Sequence, residues 1–377
     1  MDKVINELKD VFELATGAIA LTKEILKLKS NKKDADKDNL IKVSKGYYAQ
    51  IGSSGYYAKI GSSGYYAKIG SSGDSAKIGS SGNSAQIGSS GDYAQIGSSG
   101  NSAQIGSSGN SAQIGSSGDY AQIGSSGNSA QIGSSGDSAQ IGSSGDSAQI
   151  GSSGYSAKIG SSGDYAKIGS SGYYAKIDST GYKAVISGIG FKSIAKGKIG
   201  SWITLAEYTR NEIDNLIVDF VKTEYIDGER IKEDTFYTLY NHEFKEVEII
   251  DNVETIILNR KKNVIKGLYL DSLNPCYVVE KDGAFSHGDT LKEAKESLIY
   301  KISNRDKSMY EDYTLDSVVT FEDAVKMYRV ITGACEAGTR NFVQGLAKRK
   351  KKYTVAEIIT ATQGQYGNET FKEFFNG

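Results

Sequence analysis

The chain has 377 residues, enough for two or three domains, and its 44 Lys and Arg against 45 Asp and Glu leave a net charge of −1. That balance argues against a broadly nucleic-acid-binding surface, and two cysteines, Cys276 and Cys335, without CxxC-type spacing exclude a disulfide framework and a metal motif. No stretch reaches the roughly 18 apolar residues of a membrane span, and the acidic residues Asp2, Glu7, Asp10 and Glu13 before the first apolar run do not fit a secretory signal, so a soluble intracellular protein without a membrane partner is expected.

Residues 1–30 place Ile5, Leu8, Phe12, Ala15, Ile19 and Leu26 at helical spacing, which predicts an amphipathic helix. Such a helix can cap a neighbouring element or join copies of the chain into a homo-oligomer. Residues 31–44, with SNKKDADKDN, read as a polar linker.

From 45 to 186 the chain repeats itself. Isoleucine recurs every nine residues from Ile51 to Ile186, sixteen times, in the unit G-S-S-G-[DNY]-[SY]-A-[KQ]-I. Ala and Ile alternate with Ser and Gln, a period of two, so each unit carries one short strand with Ala and Ile on one face. The glycines are expected to supply positive φ at the corners. One unit cannot bury its own Ala and Ile, whereas stacked units can, so the segment is expected to be a β-solenoid. Small side chains favour two units, about 18 residues, per turn. The near-identical 27-residue copies 92–118 and 119–145 leave three units open.

The unit resembles the calcium-binding nonapeptide GGxGxDxUx and, more loosely, trimeric adhesin head repeats. Its acidic residue stands one place early and is often Asn or Tyr, so no calcium requirement is predicted. Function falls to the outward ladders. Tyr and Lys gather at the two ends of the segment, while the middle carries Asp92, Asp119, Asp137 and Asp146 with Tyr93 and Tyr120. These six are candidate contact residues, because Tyr is favoured at interfaces. Solubility and edge protection are the plainer explanation.

Residues 187–302 read as a β-rich α+β module and 303–377 as a helical module. Thr290–Glu293 and Thr354–Glu357 are capping boxes, and Thr320–Asp323 is a weaker one. Cys335 is expected mid-helix in ITGACEAG. The basic run Lys348, Arg349, Lys350, Lys351 and Lys352 reads as an exposed interhelical loop, and its first three residues are further contact candidates. The phrases GSWITLAEY, AFSHGDTLKEA, YRVITGACEAGTRNF and YTVAEIITATQGQYGNETFKEFF resemble segments of uncharacterised phage and prophage proteins that join nonapeptide repeats to such a C-terminal half. The resemblance covers most of residues 45–377. It implies a phage-encoded protein in the host cytoplasm, or in the virion, and supplies no catalytic residues.

His242 and His287 are the only histidines, so a Cys–His nucleophile would need Cys276 or Cys335 beside one of them. No Walker loop, dinucleotide fingerprint or H-E-x-x-H occurs. No residue is assigned a catalytic, cofactor-binding or metal role, and nucleic acid is not an expected partner. The expected fold is mainly β: a solenoid with an N-terminal helix and a C-terminal α+β domain ending in helices. The expected function is a non-enzymatic binding scaffold that presents its C-terminal module to a host or phage protein, in one form antagonising a host system. Alternatives are a virion fibre segment anchored by the N-terminal helix, and a DNA-mimic inhibitor using the acidic middle of the solenoid.

Overall fold

A computed structural model describes residues 41–303, 305–346 and 349–376. The expected N-terminal helix and most of the linker lie outside the described residues. The chain divides into two compact units, residues 41–244 and 245–376 of those described.

The first unit is a two-sheet β-solenoid. Eighteen short strands, β1 (Ile41–Ser44) to β18 (Ile194–Lys196), alternate between an odd sheet and an even sheet. Ile114 stands between Ile96 and Ile132, the isoleucines two units before and two units after it, so one turn is two nonapeptides and a turn of three is excluded. Nine rungs spaced about 4.8 Å apart make a coil of roughly 38 Å. Ala and Ile of each unit from Ala58 to Ile186 face inward and are buried, Ile114 at 1 % exposure, while Ala49 and Ile51 of the first unit are half-buried. Each buried Ile contributes roughly 1.5–3 kcal/mol, a gain that exists only once neighbouring turns cover it.

The corner differs from expectation in two ways. No glycine of the repeats has a positive φ. That conformation falls on the sixth residue of the unit, from Tyr66 through Ser111 to Lys192, at φ of 54 to 58°. From Tyr66 to Tyr174 its N–H donates along the coil axis, as Ser111 N does to the Asn128 carbonyl at 2.8 Å, and this bond holds an otherwise unfavourable backbone in place. The first serine of each SS pair is also inside the coil, with Ser98 and Ser116 fully buried beside Ala and Ile.

The coil runs past the last nonapeptide at Ile186. β18 still pairs with the strand two units back, Lys176 to Ile194. β19 (Trp202–Arg210) joins the odd sheet with a spacing one residue shorter, Val185 to Trp202. Two antiparallel strands then close the edges. β20 (Leu216–Tyr225) lies on β19, and β21 (Phe236–Tyr240) lies on β18 through Ala195 and Tyr237. Here Ile203, Leu205, Ile226, Tyr237 and Leu239 replace the small core residues and cover the last turn. An antiparallel partner removes the open parallel edge that would otherwise template further pairing.

The second unit begins within β22 (Glu243–Ile250). It continues as an antiparallel meander through β23 (Val253–Lys261), β24 (Val264–Tyr269), β25 (Pro275–Lys281) and β26 (Ala284–Gly288). Helix α1 (Leu291–Ile302) starts at the Thr290–Glu293 capping box and packs Ala294 and Leu298 against Val279. Helices α2 (Phe321–Thr332), α3 (Glu336–Gly345), α4 (Val355–Ala361) and α5 (Asn368–Asn376) follow, with the short pair β27 (Val318–Thr320) and β28 (Lys352–Thr354) between them. Thr320 and Thr354 cap α2 and α4. Met327, Ile331, Val355, Ile358 and Phe371 form the helical core.

Candidate functional site

The two faces of the coil carry the same sequence but are not equivalent. In each strand the Lys or Gln and the first glycine of GSSG point outward. On the odd sheet that glycine is buried, as at Gly97, Gly115 and Gly133. On the even sheet Gly88, Gly106 and Gly124 are exposed, and a Cβ added at any of them would meet nothing within 4 Å. The result is a groove of about 1050 Å³ along the even sheet, floored by the glycine row and the isoleucines beneath it. Its rim is neutral in the middle, at Gln86, Gln104, Gln122 and Gln140, and basic towards the ends, at Lys68 and Lys158. At the far end Phe236 lies 5.0 Å from Lys176 Nζ.

The second glycine of GSSG has a different cause. A Cβ at Gly109 would sit 1.9 Å from the Gly91 carbonyl oxygen one turn earlier, so only glycine fits there. The acidic candidates come next in the unit and form hydrogen-bond ladders. Asp92 Oδ1 accepts from Asn110 N at 2.7 Å, Asp119 Oδ1 from Asp137 N at 3.0 Å, Asp137 Oδ1 from Tyr155 N at 2.8 Å and Asp146 Oδ1 from Asp164 N at 2.9 Å. Asn83 and Asn101 make the same bond, which explains why Asp and Asn interchange.

The two-unit turn puts Asp92 and Asp146 on one edge of the coil and Asp119 and Asp137 on the opposite edge. The four therefore form no single acidic patch. Tyr93 and Tyr120, 64 % and 65 % exposed, are likewise divided between the edges. At the first turns Tyr47 stacks on Tyr65 at 5.2 Å and Tyr48 on Tyr66 at 5.5 Å, so aromatic stacking takes the place of the Asx ladder.

In the second unit Lys348 lies outside the described residues. Arg349 sits 6.0 Å from the Phe321 ring, and Lys350 Nζ bonds Glu357 Oε1 at 2.8 Å, an ion pair that raises the lysine pKa. Lys352 is the first residue of β28, so the basic run is partly strand rather than loop.

The histidines divide clearly. His242 is exposed, with Nε2 3.0 Å from Asp219 Oδ2 and its ring stacked on Phe220 at 4.5 Å. His287 is fully buried at the end of β26. Its Nε2 lies 3.0 Å from Thr255 Oγ1, and its Nδ1 has no partner. Burial, and then the Lys301 ammonium, push its pKa down to about 4, so the ring is neutral near pH 7.

Cys335 is not mid-helix. Gly333 ends α2 in the left-handed region, and Cys335 caps α3, its Sγ accepting from Gly338 N at 3.3 Å. Cys276 is buried in a cluster with Val253, Tyr269 and Ala337, and burial together with Asp289 and Asp271 pushes its thiol up to about 12. Cys335, His287 and Asp251 each offer a donor atom within 4.8 Å of the others. Asp251 also bonds Lys301 Nζ at 2.6 Å in a buried ion pair. Sequence reasoning missed Asp251 and Lys301, which stand in a β-turn and in the last turn of α1 without any motif.

No helix among the described residues is long and apolar enough to cross a membrane. No protein-family model, curated protein or solved structure matches this chain.

Proposed function

We propose that this chain is a non-enzymatic binding scaffold, phage-encoded and acting in the host cytoplasm, whose solenoid docks a partner protein along its even face. The observation that carries this reading is the open glycine row. Glycine inside a strand costs about 0.5–1 kcal/mol relative to Ala, and neither space nor backbone conformation requires it at Gly88, Gly106 or Gly124. Strand glycines without a local cause mark places where another chain or ligand approaches closely.

The occupant is an α-helix of the partner with an uncharged middle and acidic residues towards both ends. Lys68 and Lys158 stand five rungs apart, roughly 24 Å, which a helix of about 16 residues spans. The four glutamines between them offer hydrogen bonds without charge. A helix suits the groove because the face of a sheet, unlike its edge, has no free backbone groups with which to pair a strand. The C-terminal unit, with its varied surface, provides a second contact or the effector.

The test is capture from host lysate with the full chain and with Gly106→Val plus Gly124→Val. The double variant should fold normally and lose a protein that the wild type retains. Identical captured sets from the two chains would overturn docking on the even face.

A further inference from the structure

We propose that Asp251, His287 and Cys335 form a binding site for one divalent cation of the zinc class. The inference stands on the second unit alone and does not rest on the docking reading. One donor atom of each residue lies within 4.8 Å of the other two. Zinc bonds to N, O and S are about 2.0–2.3 Å, so movements of under about 1 Å bring these donors into a tetrahedral set. A nitrogen, oxygen and sulfur donor set suits zinc rather than calcium or magnesium.

Each donor is already held from its far side, as ligands in metal sites are. Thr255 engages His287 Nε2, which leaves Nδ1 as the open lone pair, and that atom is fully buried without a partner. An orphan nitrogen in a packed interior is costly, and a cation satisfies it. Lys301 holds Asp251 Oδ2 at 2.6 Å, leaving the second carboxylate oxygen for a cation. Lys301 also offsets the carboxylate charge, so the thiolate supplies the net negative charge that the ion meets.

Cys335 sits at the N-terminus of α3, where the Gly338 N–H, 3.3 Å from its Sγ, fixes the position of the sulfur. A small cavity of about 40 Å³ adjoins two of the three donors, Asp251 and Cys335, and has room for a water beside them. The exposed group Glu207, Asp219 and His242 lacks these features: both Glu207 oxygens accept from the Asn241 and His242 backbone, and His242 is already engaged by Asp219.

The probe is Co²⁺ titrated into the full chain, followed by the sulfur-to-cobalt charge-transfer band and by competition with Zn²⁺. The wild type should bind one ion per chain with that band. Cys335→Ser retains a hydroxyl that can cap α3, so it should fold, lose the band and bind more weakly by at least the roughly 10- to 100-fold that loss of a partner behind a ligand costs. Cys276→Ser should keep the band. Absence of a band in the folded wild type, or a band that follows Cys276 instead of Cys335, would overturn the site.

Discussion

The two glycines of each GSSG corner recur along the repeat for different physical reasons. Gly109 faces the backbone of the previous turn, where a methyl group would lie 1.9 Å from a carbonyl oxygen, whereas Gly106 faces open space. Gly109→Ala should therefore lower the melting temperature sharply, at a cost of about 1–3 kcal/mol or more, because the rigid coil must move to admit it. Gly106→Ala should leave the melting temperature unchanged or raise it, by up to about 1 kcal/mol of stability. Calorimetry on the two variants is the check, and similar losses in both would mean that the even-face glycine has a structural cause after all. The Asx positions show the same economy, since one carboxylate or amide oxygen per unit satisfies one backbone N–H of the next turn, whether Asp or Asn provides it.

At the scale of elements, the closing strands matter more than their short sequence would indicate. Tyr237 on β21 is buried, pairs with Ala195 at the last rung and accepts from Lys232 N through its hydroxyl at 2.9 Å. Stacked repeats share stability with their neighbours and depend on their caps. Tyr237→Ala should cost about 3–5 kcal/mol and lower the unfolding transition of the whole coil. Tyr237→Phe should cost only about 1 kcal/mol, the value of its hydrogen bond. Hydrogen exchange along the coil distinguishes a global loss from fraying confined to the last turn.

The repeat strands were legible in the sequence because Ala and Ile alternate with polar residues at every unit, and the capping boxes of α1 and α4 because their spacing is local. The left-handed Ser and Tyr residues were not, since the bond that holds them comes from the next turn. The Asp251, His287 and Cys335 cluster was invisible for a similar reason. Its members stand on the turn between β22 and β23, on β26 and at the start of α3, and they meet only after the meander and α3 have packed.

For the whole molecule, the uniformity of the repeat makes length adjustable while register stays fixed. Removing residues 92–145 takes out six whole units, which is three turns, and returns every strand to its own sheet. The sequence alone points to recognition by the C-terminal module that the solenoid presents. The open glycine row supports a binding surface on the solenoid instead. The deletion brings Lys68 and Lys158 from five rungs apart to two, about 10 Å, too short for the helix that the groove is proposed to hold. The most direct measurement is therefore capture from host lysate by the full chain and by the deletion variant, each first shown to be folded by its melting curve. The account predicts a folded, shorter protein that loses the partner; a folded deletion variant that captures the same protein as the wild type would contradict it and place recognition on the C-terminal unit.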